Sequence, residues 1–420
     1  MSRRDVEFGC SIVVVGLLAG FAGVATTLLL HAVEHLTYHY TFGSLLDGVT
    51  GSSPARRALG PMIGGALAGF GWWLLRRHAA IPALSATISE HRRIPRVSLS
   101  LDAGLQVLLV GSGASLGREG APRQFSAALG DLGMSRWSLT PRDREILLAC
   151  AAGAGLAAVY SVPVGGALFA TRIMLKTWQP RAVGTALITS SLAVAVASPV
   201  THAQAPLHWP GPELSYLLTG FALVLAPLAL GVGMAFNRIM ASARPATTKT
   251  SWLIIPGIAG AGLLIGSCSV WWPTLPGNGK SILTVTLDSN MTLAGAVVIL
   301  FLKPVLTAVF LRAGAVGGML TPALATGAAA GSLVALAINT WTGQSVSVAA
   351  VSLTCAAGVL AITQRAPLWA ALFVWELARP PWWVLAPFVV AAVAAHGLRL
   401  LWERRRQPAQ LPAGRERRDA

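Results

Sequence analysis

The 23 residues from Phe8 to Leu30 carry no charged side chain. A run of that length meets the roughly 20 apolar residues a helix needs to cross a bilayer. Within lipid every backbone N–H and C=O must find its partner inside the chain, so a run of this kind folds as a helix. Further apolar runs span Leu217 to Phe236 and Ser251 to Trp272, while Met291 to Leu302 reads as too short to cross alone. Charged residues make up only 11% of the chain and hydrophobic ones 54%, against about 25% charged in soluble domains. The expectation is an all-α, polytopic membrane protein. Arg3 and Arg4 precede the first run in the manner of a signal peptide, but the run is too long and no small-x-small site closes it. It reads as an uncleaved first membrane helix.

The net charge of +16 would suit a nucleic-acid binder, but its placement argues against one. The basic residues form short clusters between apolar runs: Arg3–Arg4, Arg76–Arg77, Arg92–Arg93 with Arg96, and the tail from Arg404 to Arg418. That is the positive-inside pattern, with both termini expected in the cytoplasm of a bacterial inner (plasma) membrane. A basic mouth would also concentrate anions. Residues 404–420 read as a disordered cytoplasmic tail that can touch anionic membrane lipid. Cys10, Cys150, Cys268 and Cys355 lie in apolar stretches without a CxxC pair and are expected to pack as small hydrophobes. No paired carboxylates, metal-spaced His/Cys set or nucleophile–base pair appears. An enzyme, a cofactor and a metal site are therefore not expected, nor is an organic-solute transporter, for which no intramembrane cluster of acids or bases is present.

Other apolar segments are short or broken by Gly and Pro: Pro122 to Leu132, Val162 to Leu175, Pro322 to Ile338 and Pro367 to Leu377. Interrupted segments at matching places in two halves point to a binding site at the membrane midplane. Such a match exists. LACAAGAGLAAVYSVPVGGALF (Leu148–Phe169) aligns with LTCAAGVLAITQRAPLWAALF (Leu353–Phe373), each with Cys-Ala-Ala-Gly before a Pro and a Phe six residues after it. Upstream, GSGASLGREGAP (Gly111–Pro122) faces LRAGAVGGMLTP (Leu311–Pro322), offset by 200 residues. Two inverted helical repeats are expected, residues 1–244 and 245–403.

The segment Gly117-Arg118-Glu119-Gly120-Ala121-Pro122 carries the functional expectation. Pro is accepted in a first helical turn, and glycines let the backbone approach a ligand. The exposed N–H groups and positive dipole end of such a helix make an anion site. Glu119 is an intramembrane acid, functional by default. Its carboxylate can itself fill the anion site, and protonation would release it, which makes a gate. The plainer alternative is that Glu119 caps the helix or pairs with Arg118. In the second repeat Gly317-Gly318-Met319-Leu320-Thr321-Pro322 has the same design without an acid, so that N–H groups of Met319 and Leu320 would face the same anion.

On these motifs the chain resembles the CLC family of chloride channels and proton/chloride exchangers, within it the bacterial ClcB-like branch of voltage-gated chloride channels. GREGAP resembles the family's GREGP gate motif, GGMLTP its GGxFxP, and PGNGKSIL (Pro276–Leu283) a further family segment. The resemblance covers nearly the whole chain. It implies 17 or 18 helices per subunit, a homodimer with one pore in each subunit, and transport of chloride or a similar small anion. It implies Glu119 as gate and Gly117, Arg118, Gly120, Gly318, Met319 and Leu320 as anion-binding. The family's GSGIP motif aligns with His78–Pro82, which adds Ala79, Ala80 and Ile81, with Ala79 where the family has a serine. No tyrosine follows Tyr216, so the family's pore tyrosine is missing, and its inner glutamate aligns with Ile173. A channel and a proton-coupled exchanger both remain open, with weak coupling expected. His78 reads as an interfacial residue or part of the pore mouth, and Arg172 as an anion attractor or a snorkelling side chain. Glu376 is expected to make a structural pairing. The tryptophans at 72–73, 271–272 and 382–383 read as interface anchors.

Overall fold

A computed structural model describes residues 3–201, 209, 215–245 and 250–406. These residues form seventeen α-helices and no strand. The first half contains α1 (Arg3–Tyr38), α2 (Leu45–Gly51), α3 (Pro54–His78), α4 (Leu84–Ser89), α5 (Arg96–Gly111) and α6 (Gly120–Gly133). It continues with α7 (Pro141–Tyr160), α8 (Pro163–Leu168), α9 (Pro180–Thr201) and α10 (Tyr216–Ala243). The second contains α11 (Ile254–Cys268), α12 (Lys280–Leu287), α13 (Leu293–Ala313), α14 (Leu320–Thr342), α15 (Val348–Gln364), α16 (Pro367–Ala378) and α17 (Leu385–Arg406). A π-helical turn, Phe169–Met174, continues α8. Seven of the described helices are long and apolar enough to cross a membrane.

Three expectations about helix length change. The apolar run from Met291 stops at Lys303, but α13 runs through it, 21 residues in all from Leu293 to Ala313. Lys303 is fully buried, and its Nζ donates to the carbonyls of Leu275 (2.9 Å) and Gly277 (2.7 Å). A cation matched to backbone carbonyls can sit in a helix that hydropathy alone would end. The segment after Pro322 is likewise no fragment: α14 runs unbroken for 23 residues, since Pro322 is its third residue, where no intrahelical N–H is needed. By contrast the run from Ser251 to Trp272 yields only the 15-residue α11. At the other end, Arg404–Arg406 belong to α17, and the rest of the tail lies outside the described residues.

Helices that begin near the surface are capped as sequence rules lead one to expect. Thr140 Oγ1 accepts from Asp143 N at 3.1 Å ahead of Pro141, and Thr292 caps α13 through Gly295 N at 3.0 Å. The helices α6, α8, α14 and α16 have no cap from their own N-cap side chain. Their first-turn N–H groups are thereby left for other partners.

The main hydrophobic core crosses between the halves, joining Leu30, Trp72, Val107 and Phe236 to Ile299 and Phe310. A second cluster joins Leu156 and Phe169 to Leu353, Phe373 and Phe388. Trp72 is no interface anchor: it is fully buried and donates its Nε1–H to Asp102 Oδ1 at 2.7 Å. Trp271 and Trp382, in contrast, are exposed. Cys150 and Cys355 are buried as expected, Cys268 is half-buried, and Cys10 is exposed; all four are free thiols.

Candidate functional site

The two glycine-rich turns meet. Gly117 N–H donates to Gly318 O at 2.7 Å, and Gly318 N–H donates back to Gly117 O at 2.9 Å. This is an isolated antiparallel bridge between the repeats. The N–H groups of Gly117 and Gly318 are thus taken up by each other, and what these residues contribute is space. A Cβ on Gly117 would lie 2.1 Å from Glu119 Oε2, and one on Gly318 would lie 2.0 Å from Glu119 Oε1. Only glycine lets the carboxylate rest against the bridge.

Glu119 is the N-cap residue of α6, yet its side chain caps a different helix. Oε1 accepts from Leu320 N at 2.7 Å, in the first turn of α14. Oε2 lies within reach of two hydroxyl donors, Thr321 Oγ1 at 3.3 Å and Tyr160 Oη at 3.4 Å. The residue is 1% exposed. A negative group therefore sits at the positive end of a 23-residue helix, held by one amide and two hydroxyls. The backbone of Glu119 is fixed from the other side, where Arg123 Nε donates to its carbonyl at 2.7 Å.

Arg118 does not pair with Glu119 among the described hydrogen bonds and ion pairs. The residue is 7% exposed, and its guanidinium donates to Val159 O at 3.3 Å and lies 5.0 Å from the centroid of the Tyr160 ring. Its charge acts near the site through Tyr160 rather than by direct contact. A Cβ on Gly120 would lie 2.1 Å from Gln106 Oε1, so any other residue there would displace the Gln106 amide. Met319 is the N-cap of α14, and its sulfur accepts from Arg244 Nη2 at 3.3 Å.

The His78–Pro82 loop follows α3. Ala79 N–H is already donated to Leu75 O at 2.9 Å, closing the helix. The N–H groups of Ala80 and Ile81 make no hydrogen bond to described residues. The Ile81 side chain packs into a cluster with Ile94 and Leu84. No described hydrogen bond joins this loop to the Glu119 carboxylate, so the expected anion-binding residues fall into two groups, one around Glu119 and one at the end of α3. His78 Nδ1 lies 2.9 Å from Leu74 O, and Arg172 lies over the Trp178 ring at 4.4 Å. Ile173 packs against the second hydrophobic cluster.

Glu376 makes its pairing with backbone. It accepts from Val164 N at 3.0 Å and Gly165 N at 2.5 Å, at the start of α8. An acid from each half therefore caps a helix of the other half.

Sequence reading missed Tyr160, Thr321 and Arg123. Tyr160 is one of four tyrosines and stands directly before Ser161-Val162-Pro163, the break between α7 and α8. A phenol at a helix break inside the aligned repeat is the signal the sequence offers for it. Thr321 lies within the GGMLTP motif itself.

A buried carboxylate laid on the N-terminus of a helix that starts inside a multi-helix membrane protein, where its two halves meet, defines a membrane transport protein whose ion site is built from helix ends. Residues 64–399 match the family described as voltage gated chloride channel, and the chain belongs to that family. Its members are channels and transporters of anions, not enzymes. The chain is 29% identical over 382 residues to the "Voltage-gated ClC-type chloride channel ClcB" of Escherichia coli O17:K52:H18 (strain UMN026 / ExPEC), covering 87% of this chain and 89% of that protein. Among solved structures, a slow cyanobacterial Cl⁻/H⁺ antiporter shares the fold with a TM-score of 0.78 at 20% identity, over 95% of this chain and 98% of that one. A CLC-type fluoride/proton antiporter aligns with a TM-score of 0.72 at 18% identity, over 94% and 95%. The chain is thereby a multi-pass membrane protein of the CLC family, a family that transports anions.

Proposed function

We propose that the chain conducts chloride or a similar small anion through a pore gated by Glu119, and that anion movement is mostly uncoupled from protons. One observation carries the reading: the Glu119 carboxylate occupies the amide and hydroxyl donors at the start of α14, where a permeant anion would bind. Protonation removes its charge and weakens its hold on Leu320 N–H, because hydrogen bonds to ionised groups are the stronger ones. An incoming anion then takes the same donors. Tyr160 and Thr321 offer hydroxyls where the family's pore serine and C-terminal tyrosine are absent. The open N–H groups of Ala80 and Ile81 supply a second station near the end of α3. Ile173 cannot carry a proton, which favours weak coupling. The named relatives divide between a channel and antiporters, so the alternative is a proton-coupled exchanger of the same fold. The further expectations join this reading: two repeats divided near Arg244, a homodimer, and both termini in the cytoplasm of a bacterial plasma membrane.

The test uses purified protein in liposomes with opposed chloride and pH gradients. A reversal potential at the chloride equilibrium value is expected. A value displaced by the pH gradient, with proton uptake in fixed ratio to chloride, restores the exchanger. In the same assay Glu119→Gln, which mimics the protonated side chain, is expected to raise anion flux at neutral pH and to remove its rise on acidification. Wild-type pH dependence in that variant rules out Glu119 as the gate.

A further inference from the structure

On the face where α1 begins, a cavity of about 480 Å³ opens between the start of α5, the end of α6 and the start of α7. Its face is fixed by the cluster that packs Ile94 and Leu99 against Phe8 of the first turns of α1. Three arginines line it, Arg93, Arg96 and Arg144, together with one acid, Asp131. Asp131 is 2% exposed and accepts from Arg96 Nε at 2.7 Å and from Arg144 Nη2. Three cations less one carboxylate leave two positive charges around the cavity. Arg93 is exposed and makes no hydrogen bond or ion pair among the described residues. The cavity also contains Val97 and Ser98, in the first turn of α5, a helix without a side-chain cap.

An ion pair that simply neutralises Asp131 would need one arginine. The second and third place charge around a space large enough for a polar group. The apolar surroundings say what sort of molecule brings that group. Val97, in the cavity wall, is 73% exposed, and Leu101, one turn further along α5, is 54% exposed. Residues four apart share a helix face, so an exposed apolar strip leaves the cavity along α5. A cationic rim above an apolar strip matches an amphiphile with an anionic head.

From this we propose that the cavity binds the phosphate of an anionic phospholipid, with Arg93 and the outward edges of Arg96 and Arg144 on the phosphate and one acyl chain along Val97 and Leu101. Ile94, next to Arg93, is buried in the same cluster as Ile81 and Leu84. A lipid held here therefore steadies the segment packed against the loop after α3.

Binding of dioctanoyl-phosphatidylglycerol and dioctanoyl-phosphatidylcholine to the full chain in neutral detergent tests the proposal. Saturable binding of the glycerol lipid, weakened about fivefold by Arg93→Gln, is expected, the loss typical of one arginine at an anionic membrane surface. Arg93 is exposed and unpaired, so the variant keeps the fold. Equal affinity for the two lipids, or unchanged affinity in Arg93→Gln, overturns the site. Displacement of the lipid by inorganic phosphate or adenosine triphosphate, with the same dependence on Arg93, overturns the lipid as the source and gives the cavity to a soluble phosphate ester.

Discussion

Glu119 is held by donors of unequal kind, and that inequality can be measured. Leu320 N–H belongs to the backbone, but the Tyr160 hydroxyl can be deleted without touching the ring that packs on Phe373 at 5.8 Å between centroids. Tyr160→Phe removes a donor to the charged carboxylate and so favours the protonated, released form. A hydrogen bond of this kind is worth about 1 kcal/mol, and 1.36 kcal/mol corresponds to about one pH unit. In the variant, the pH of half-maximal flux should move upward by up to about one unit, measured as a pH series of liposome efflux. An unchanged or lower midpoint means that Tyr160 does not hold the gate. The acid and its glycine surroundings were legible in the sequence because GREGAP puts them in consecutive positions. Its hydroxyl partners were not, because they lie 41 and 202 residues away and meet it only in the folded chain.

Among the helices, local chemistry fixes some boundaries and tertiary partners override it at others. Thr140-Pro141 and Thr292 stand at the starts of α7 and α13 as capping chemistry favours. Lys303 hid the length of α13, because its two carbonyl partners lie in the turn before α12. Trp72 was misplaced for the same reason, since Asp102, thirty residues on, supplies its acceptor. Lys303 does more than tolerate burial. It ties down the turn in which Gly277, at φ +77°, donates to Gly113 O at 2.9 Å. Lys303→Met keeps much of the volume but strands both carbonyls, each costing about 1–3 kcal/mol when buried unpaired. Thermal unfolding of the detergent-solubilised variant should begin at clearly lower temperature than wild type. A melting profile matching wild type shows that the carbonyls find other partners.

For the molecule as a whole, the proposed homodimer makes a separable claim: that each subunit has its own pore. Among the described residues, the donors to the Glu119 carboxylate, Leu320, Thr321 and Tyr160, belong to the chain that carries it. Mild crosslinking in detergent should give dimers. A mixed dimer of wild-type and Glu119→Gln subunits should show pH-dependent and pH-independent flux added together. Only monomers on crosslinking, or a mixed dimer that behaves wholly like one parent, removes that claim. The proposed two-fold repeat rests on the Cys-Ala-Ala-Gly steps that stand in both halves. That each half closes a helix of the other with a carboxylate, Glu119 on α14 and Glu376 on α8, was not legible in the sequence, since no motif records which helix an acid will cap.

The bridge between Gly117 and Gly318 also sets a timetable for biosynthesis. Glu119 and Leu320 are 201 residues apart. At ~5–20 residues per second, a ribosome needs roughly 10–40 s to make that stretch. Throughout that interval the acid stands in a nascent half-protein without its amide donor. The first half must wait in the membrane, incomplete, until the second arrives to finish a site that neither contains.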